Sequence, residues 1–127
     1  MNMSSLPRLF MSANFSTEKQ MVDLFIAGLN AGVRGFDTAR EYGVEKKVGR
    51  ALRKALNETD IRREEVYVQS RISNEEIIMG HIAEEVFRSV DALDMDYLDC
   101  FMFHWPTPNY YIKAWNTLSD LKWLEIE

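Results

Sequence analysis

Hydrophobic positions in this chain fall into two rhythms that take turns. Short apolar runs, the pattern of strands covered on both faces, occupy residues 6–12, 33–36, 65–70 and 97–103. Between them apolar residues return every three or four positions, as on one face of a helix. Met21, Leu24, Phe25 and Gly28 form the first such stripe, and Val48, Ala51, Leu52, Ala55 and Leu56 the second. Ile77, Ile78, Ile82, Val86, Val90 and Leu93 form the third, and Ile112, Trp115, Leu118 and Leu121 the fourth. Thr17 with Gln20 and Ser73 with Glu76 have the spacing of a capping box, and Gly32 stands where a helix C-cap is expected. The pattern predicts helices over residues 17–31, 44–57, 73–93 and 111–124, with polar 57–63 as a loop. Pro7 enters the first strand and Pro106 closes the fourth.

Strand followed by helix, four times over, implies parallel strands joined by right-handed crossovers, with helices covering the sheet. Four units are too few to close an eight-stranded barrel. The pattern therefore allows an open α/β sheet or half of a barrel. No linker or residue-level repeat divides the 127 residues, so one domain over 1–127 is expected.

Composition narrows the function classes. A hydrophobic content of 46% with 12% aromatics is enough for a core. The net charge of -5, with no basic stripe interleaved with aromatics, argues against a nucleic-acid partner. Cys100 is the only cysteine, which rules out an intrachain disulfide and a cysteine-built zinc site. It is expected as a small buried apolar side chain in a reducing compartment. His81, His104 and Cys100 lack ligand spacing, so no metal is expected. The N-terminal segment lacks a basic n-region and a long apolar stretch, and no run approaches the ~20 apolar residues of a membrane span. A cytoplasmic protein with no membrane partner is the expectation.

The chemistry gathers around residues 32–49. A short buried strand delivers Asp37, Thr38 and Arg40, Tyr42 follows, and Gly43 turns the chain into a helix. Later strand ends add Arg71 and His104. Singly, each has an ordinary explanation: a turn-capping Asp, a packed Tyr, a solvated Arg, a satisfied His. Four such groups at the same end of alternating strand–helix units are what an active-site rim looks like.

The runs Asp37-Thr38-Ala39, Tyr42-Gly43 with Glu45, and Val48-Gly49-Arg50-Ala51-Leu52 resemble the aldo-keto reductases. So does Asp96-Tyr97-Leu98-Asp99 leading through Cys100 and Phe103 to His104-Trp105-Pro106, and Leu6-Pro7-Arg8-Leu9 looks like the family's first strand. The resemblance spans nearly the whole chain. It implies the N-terminal (β/α)4 half of a TIM-type (β/α)8 barrel that passes a hydride between NADPH or NADH and a small carbonyl compound. Carried over, Tyr42 is the general acid, His104 orients the carbonyl, and Asp37 holds a cationic partner. Ser12, Ala13 and Asp37 become cofactor contacts and Trp105 a substrate contact. A phenol at its ordinary pKa of ~10 donates poorly at neutral pH unless a cation lowers that value.

Three departures from the family accompany these matches. Arg71 stands where the family has a lysine, and a guanidinium is bulkier, never deprotonated, and expected to misplace the phenol. Phe10-Met11-Ser12-Ala13 replaces a Gly-x-Gly-Thr segment that lets the cofactor approach. Residues 121–127 do not continue into the family's fifth strand, and most of the family's cofactor contacts come from its second half. Impaired turnover is expected, together with open sheet edges, an apolar inner face and a possible homodimer completing the sheet. The alternatives are an inactive half-barrel that binds or self-associates, or a truncated product without a selected role. An open nucleotide-binding sheet is the weaker rival, because no Gly-x-Gly-x-x-Gly or Walker-type loop follows a strand.

Overall fold

The computed structural model describes residues 6–14 and 16–121. Strand β1 (Phe10–Met11) leads to helix α1 (Glu18–Asn30), then β2 (Gly35–Asp37), a 3-10 turn at Arg40–Tyr42 and α2 (Glu45–Thr59). Strand β3 (Tyr67–Ile72), two helices α3 (Asn74–Met79) and α4 (Ile82–Leu93), β4 (Cys100–Phe103) and α5 (Tyr111–Leu121) complete the order. The strands form one parallel sheet in the order β1-β2-β3-β4. That is the sequential winding of a barrel, and the described residues make a half-barrel of it.

Local signals set the first helix. Thr17 Oγ1 accepts from the Gln20 N–H at 3.2 Å while Gln20 Oε1 accepts from the Thr17 N–H at 2.9 Å, the reciprocal bonds of a capping box. At the other end the Gly32 N–H donates to the Leu29 carbonyl and the Val33 N–H to the Gly28 carbonyl. This is a Schellman closure, and Gly32 takes the left-handed φ of 98° that it requires.

The third helix differs from expectation. The stripe over 73–93 is broken into α3 and α4 by Gly80, at φ 77°, where the His81 N–H returns to the Glu76 carbonyl. Ile78 and Ile82 keep helical spacing across the break, so periodicity alone conceals it. The first strand is also shorter than 6–12, because Leu6 and Leu9 lie exposed and only Phe10 and Met11 find partners on β2. Strands β2 and β3 run on into the polar residues Asp37 and Arg71, whereas the apolar runs end before them. Helix α2 extends to Thr59, beyond the expected 57. The expected continuation of the last helix to 124, and the tail after 121, lie outside the described residues.

Helices α1 and α2 cover one face of the sheet. Met21, Phe25 and Leu29 of α1 and Val48, Leu52 and Leu56 of α2 pack on Phe36, Val66 and Val68. Phe25 meets Phe36 edge to face at 5.3 Å. Helix α2 approaches α4 so closely that a Cβ on Gly49 would collide with the Leu93 backbone. Ile72, Ile77, Ile82 and Ala114 form a second, smaller cluster toward β4 and α5.

The other face, which none of the described helices covers, corrects the expectation of an apolar interior. Strand alternation and the registers Asp37↔Gln69 and Gln69↔Cys100 put Asp37, Gln69 and Arg71 there beside Phe10, Tyr67, Cys100 and Met102. A polar layer thus crosses the sheet at its C-terminal end. Cys100 is only partly buried on that face, not the enclosed core residue expected. Burial pushes its thiol up, while a hydrogen bond with Tyr67 works in the opposite direction. Burial and the neighbouring Cys100 push Tyr67 up to about 12.

Candidate active site

Asp37 ends β2 and Arg71 stands one residue before the end of β3, so the pleat turns both side chains to the uncovered face. The guanidinium there spans two partners. Arg71 Nη2 donates to Asp37 Oδ2 at 2.9 Å and lies 2.8 Å from Oδ1, and Arg71 Nη1 donates to Tyr42 Oη at 3.1 Å. The phenol is therefore within reach of the cation. The planar fork is the physical reason, since its two terminal nitrogens serve two acceptors at once. Gln69 Nε2 donates to Asp37 Oδ1 at 2.8 Å and fixes the carboxylate further.

Tyr42 arrives on the 3-10 turn. Its N–H donates to the Ala39 carbonyl at 3.2 Å, the Gly43 N–H donates to Arg40 at 3.1 Å, and Gly43 adopts φ 66° to release the chain into α2. His104 follows β4, its N–H bonded to the Ile72 carbonyl at 3.1 Å. The Tyr42 and His104 rings meet edge to face with centroids 5.7 Å apart. Trp105 stacks on His104 at 5.8 Å and is 58% exposed. His104 Nδ1 is buried without a hydrogen-bond partner among the described residues, and Glu41 Oε2 lies 3.5 Å away.

Asp37, Tyr42, Arg71 and His104 are thus brought into one cluster on the rim. Of the two first-strand positions, Ser12 gives its one O–H to Asn14 Oδ1 over a long 3.5 Å, which leaves the lone pairs of its oxygen to accept. Ala13 is buried in the main core, and its carbonyl accepts from the Ser16 N–H at 3.1 Å. Among the described residues, no group of three or more His, Cys, Asp or Glu is placed to hold a metal. A cleft of about 660 Å³ runs along the start of α2 beside Arg40, Lys46, Lys47 and Arg50.

Sequence reading named Arg40, Glu45 and Ser70 without joining them, and it missed Gln69, Glu41 and the buried Glu85 and Ser89 that complete their polar set. Gln69 was findable, because it shares a strand face with Arg71 two residues on. Glu85 and Ser89 also carry a signal: they fall on the buried face of α4, between Ile82 and Leu93. A charge on an apolar stripe needs a partner. Nothing local to Glu41 marks it.

The chemistry this arrangement supports is proton donation. A phenol whose oxygen accepts an N–H from a permanent cation sits beside an imidazole, with an aromatic wall next to both.

Comparison with known proteins agrees in outline. The family model described as "Aldo/keto reductase family" matches residues 8–123. An aldo-keto reductase of Mycobacterium sp. (strain MCS) is 33% identical over 120 residues, covering 93% of this chain and 41% of the relative. Methylglyoxal reductase DkgA of Escherichia coli (strain K12) is 28% identical over 119 residues, covering 92% and 41%. NADP-dependent D-sorbitol-6-phosphate dehydrogenase of Malus domestica is 32% identical over 111 residues, covering 85% and 35%. A solved aldo/keto reductase from Brucella melitensis superposes with a TM-score of 0.76 at 28% identity, covering 92% of this chain and 44% of that one. Aldose reductase from Schistosoma japonicum, at 23% identity and a TM-score of 0.79, shares the fold over 92% of this chain and 46% of its own. The chain spans about two fifths of the length of the curated relatives it matches.

Proposed function

This chain belongs to the aldo/keto reductase family, and on that premise we propose that residues 1–127 supply the proton-donating half of a carbonyl reductase that uses NADPH or NADH. The observation that carries this reading is the continuous chain from Asp37 through Arg71 to Tyr42 Oη, with His104 alongside. Tyr42 gives its phenolic proton to the oxygen of a small aldehyde or ketone. Arg71, held by Asp37, stabilises the phenolate left behind. His104 orients the carbonyl, and Trp105 flanks an apolar substituent.

The rim's donor set fits the nicotinamide end of such a cofactor. Ser12 Oγ, whose single O–H makes only a long contact to Asn14, can turn that donor to a ligand instead, and Asp37 retains acceptor capacity beyond Arg71 and Gln69. A bound nicotinamide supplies the hydride. Arginine in place of lysine permits the charge interaction but no proton relay, and slow turnover is part of the proposal. We place the protein in the cytoplasm, in keeping with its single cysteine and with no described helix long and apolar enough to cross a membrane.

NADPH fluorescence quenching, followed by consumption of NADPH with a small 2-oxoaldehyde, tests the reading. Micromolar binding with slow turnover that Tyr42→Phe abolishes supports it. Absence of any NADPH binding sinks it. One observation favours a second reading, self-association without catalysis: β1 and β4 each pair on one side only among the described strands, and Trp105, Tyr111, Ile112 and Trp115 lie exposed near β4. A homodimer that completes the sheet covers these edges. Sedimentation showing a folded monomer at every concentration counts against it.

A further inference from the structure

Behind the turn that presents Tyr42, on the helix-covered side of the sheet, lies a second polar cluster. Glu45 in the first turn of α2 and Glu85 in α4 are 3% and 1% exposed. Glu45 Oε2 accepts from Ser70 Oγ at 2.8 Å and its Oε1 from Ser89 Oγ at 3.0 Å, and both serines are fully buried. One guanidinium serves both acids: Arg40 Nε is 2.8 Å from Glu85 Oε2, and Arg40 Nη1 is 3.7 Å from Glu45 Oε1. The shorter contact is an ion pair by distance whose N–H direction falls outside hydrogen-bond geometry. Arg88 Nη1 donates to the remaining oxygen, Glu85 Oε1, at 2.6 Å.

Two carboxylates in an otherwise apolar layer are costly to desolvate, and well-packed apolar residues are generally as stabilising or more so. What such an ionic network adds is a single geometry, with Glu85 Oε2 held here by the charge of Arg40 and not by a hydrogen bond. The placement of this one is specific. Arg40 opens the turn that ends in Tyr42, and Ser70 precedes Arg71 in β3 with its side chain on the opposite face. The network therefore joins the turn carrying the phenol to the strand carrying its cation, from behind.

We propose that Arg40, held by Glu85 and Glu45, is a positioning residue that fixes Tyr42 against Arg71 and His104. Its importance for catalysis rests on the reductase reading above, but its structural content is testable with neither cofactor nor substrate. NMR of the full chain supplies two readouts: cross-relaxation between the Tyr42 and His104 rings, and hydrogen exchange of the Tyr42 and Gly43 amides. The variants are Arg40→Met and the charge-neutral triple variant Arg40→Met/Glu45→Gln/Glu85→Gln, which leaves no carboxylate stranded if the single variant fails to fold. In a folded variant the ring contact is lost and exchange at 42 and 43 accelerates about tenfold or more, while amides in α1 keep their protection. Retained ring contact and unchanged exchange in either folded variant overturn the proposal. Unfolding of both variants assigns the cluster to stability alone and also overturns it. NADPH binding and turnover are scored separately on the wild-type chain, so failure of the reductase reading is distinguishable.

Discussion

The two faces of the sheet are built from the same strands on opposite principles. The helix-covered face is apolar wherever α1 and α2 press on it, with Phe36 and Val68 enclosed, and its position is set by packing. The open face carries Asp37, Gln69 and Arg71, and its position is set by directed bonds of 2.8–3.1 Å that extend to Tyr42. Neighbouring residues of one strand thus serve different ends: Phe36 is core and Asp37 is rim, Ser70 anchors the loop from behind and Arg71 meets the phenol. Packing spreads its energy over many contacts, whereas a directed bond fails with one atom. Damage to the packed apolar part of the covered face should therefore appear mainly as lost stability, and loss of the Tyr42 hydroxyl on the open face as lost function in a folded chain.

The largest expected effect tests the covered face. Phe36→Ala removes a buried ring and should cost ~3–5 kcal/mol in urea unfolding, enough to unfold a marginal domain. On the open face Tyr42→Phe should leave the unfolding midpoint within about 0.5 kcal/mol of wild type and reduce NADPH-dependent turnover ~10²–10⁴-fold. An unchanged rate would remove Tyr42 from the chemistry. Asp37→Asn weakens the acceptor that holds Arg71, and a loss of ~1–3 kcal/mol is expected with altered chemical shifts at Arg71 and Tyr42. Comparable loss of dispersion in the α1 spectrum would show that the faces are not separable.

Alkaline titration sharpens the contrast through Tyr67, which is on the open face but pushed up to about 12 by burial and by Cys100. The folded chain keeps this phenol neutral after the unfolded chain, near its ordinary 10, has begun to ionise. Its contribution is therefore intact below about pH 10 and is lost as pH rises toward 12. Tyr67→Phe should flatten that part of the stability profile. The smallest effect is local: Thr17→Ala removes the α1 cap and should cost ~1 kcal/mol with no change in the Tyr42–His104 ring contact.

Much of this was written locally. The α1 capping box, the Gly32 closure and the alternation of strand and helix depend on residues within a turn of each other, and each appears where the sequence pattern puts it. The gathering of Asp37, Tyr42 and His104 follows from strand ends in successive units of a parallel sheet, a consequence of topology that repeats. Other features depended on distances between segments far apart in the chain. The apolar stripe keeps its spacing through Gly80 and so hides the break that this glycine makes, nothing near Arg71 says that its fork reaches Tyr42 and Asp37 together, and nothing near Arg40 names Glu85 as its partner. Sequence alone determined the order and direction of the elements, because short-range hydrogen bonding and apolar periodicity specify them. Only the tertiary structure decided which side chains on separate elements come within bonding distance, because register, pleat and helix approach set those separations to fractions of an ångström.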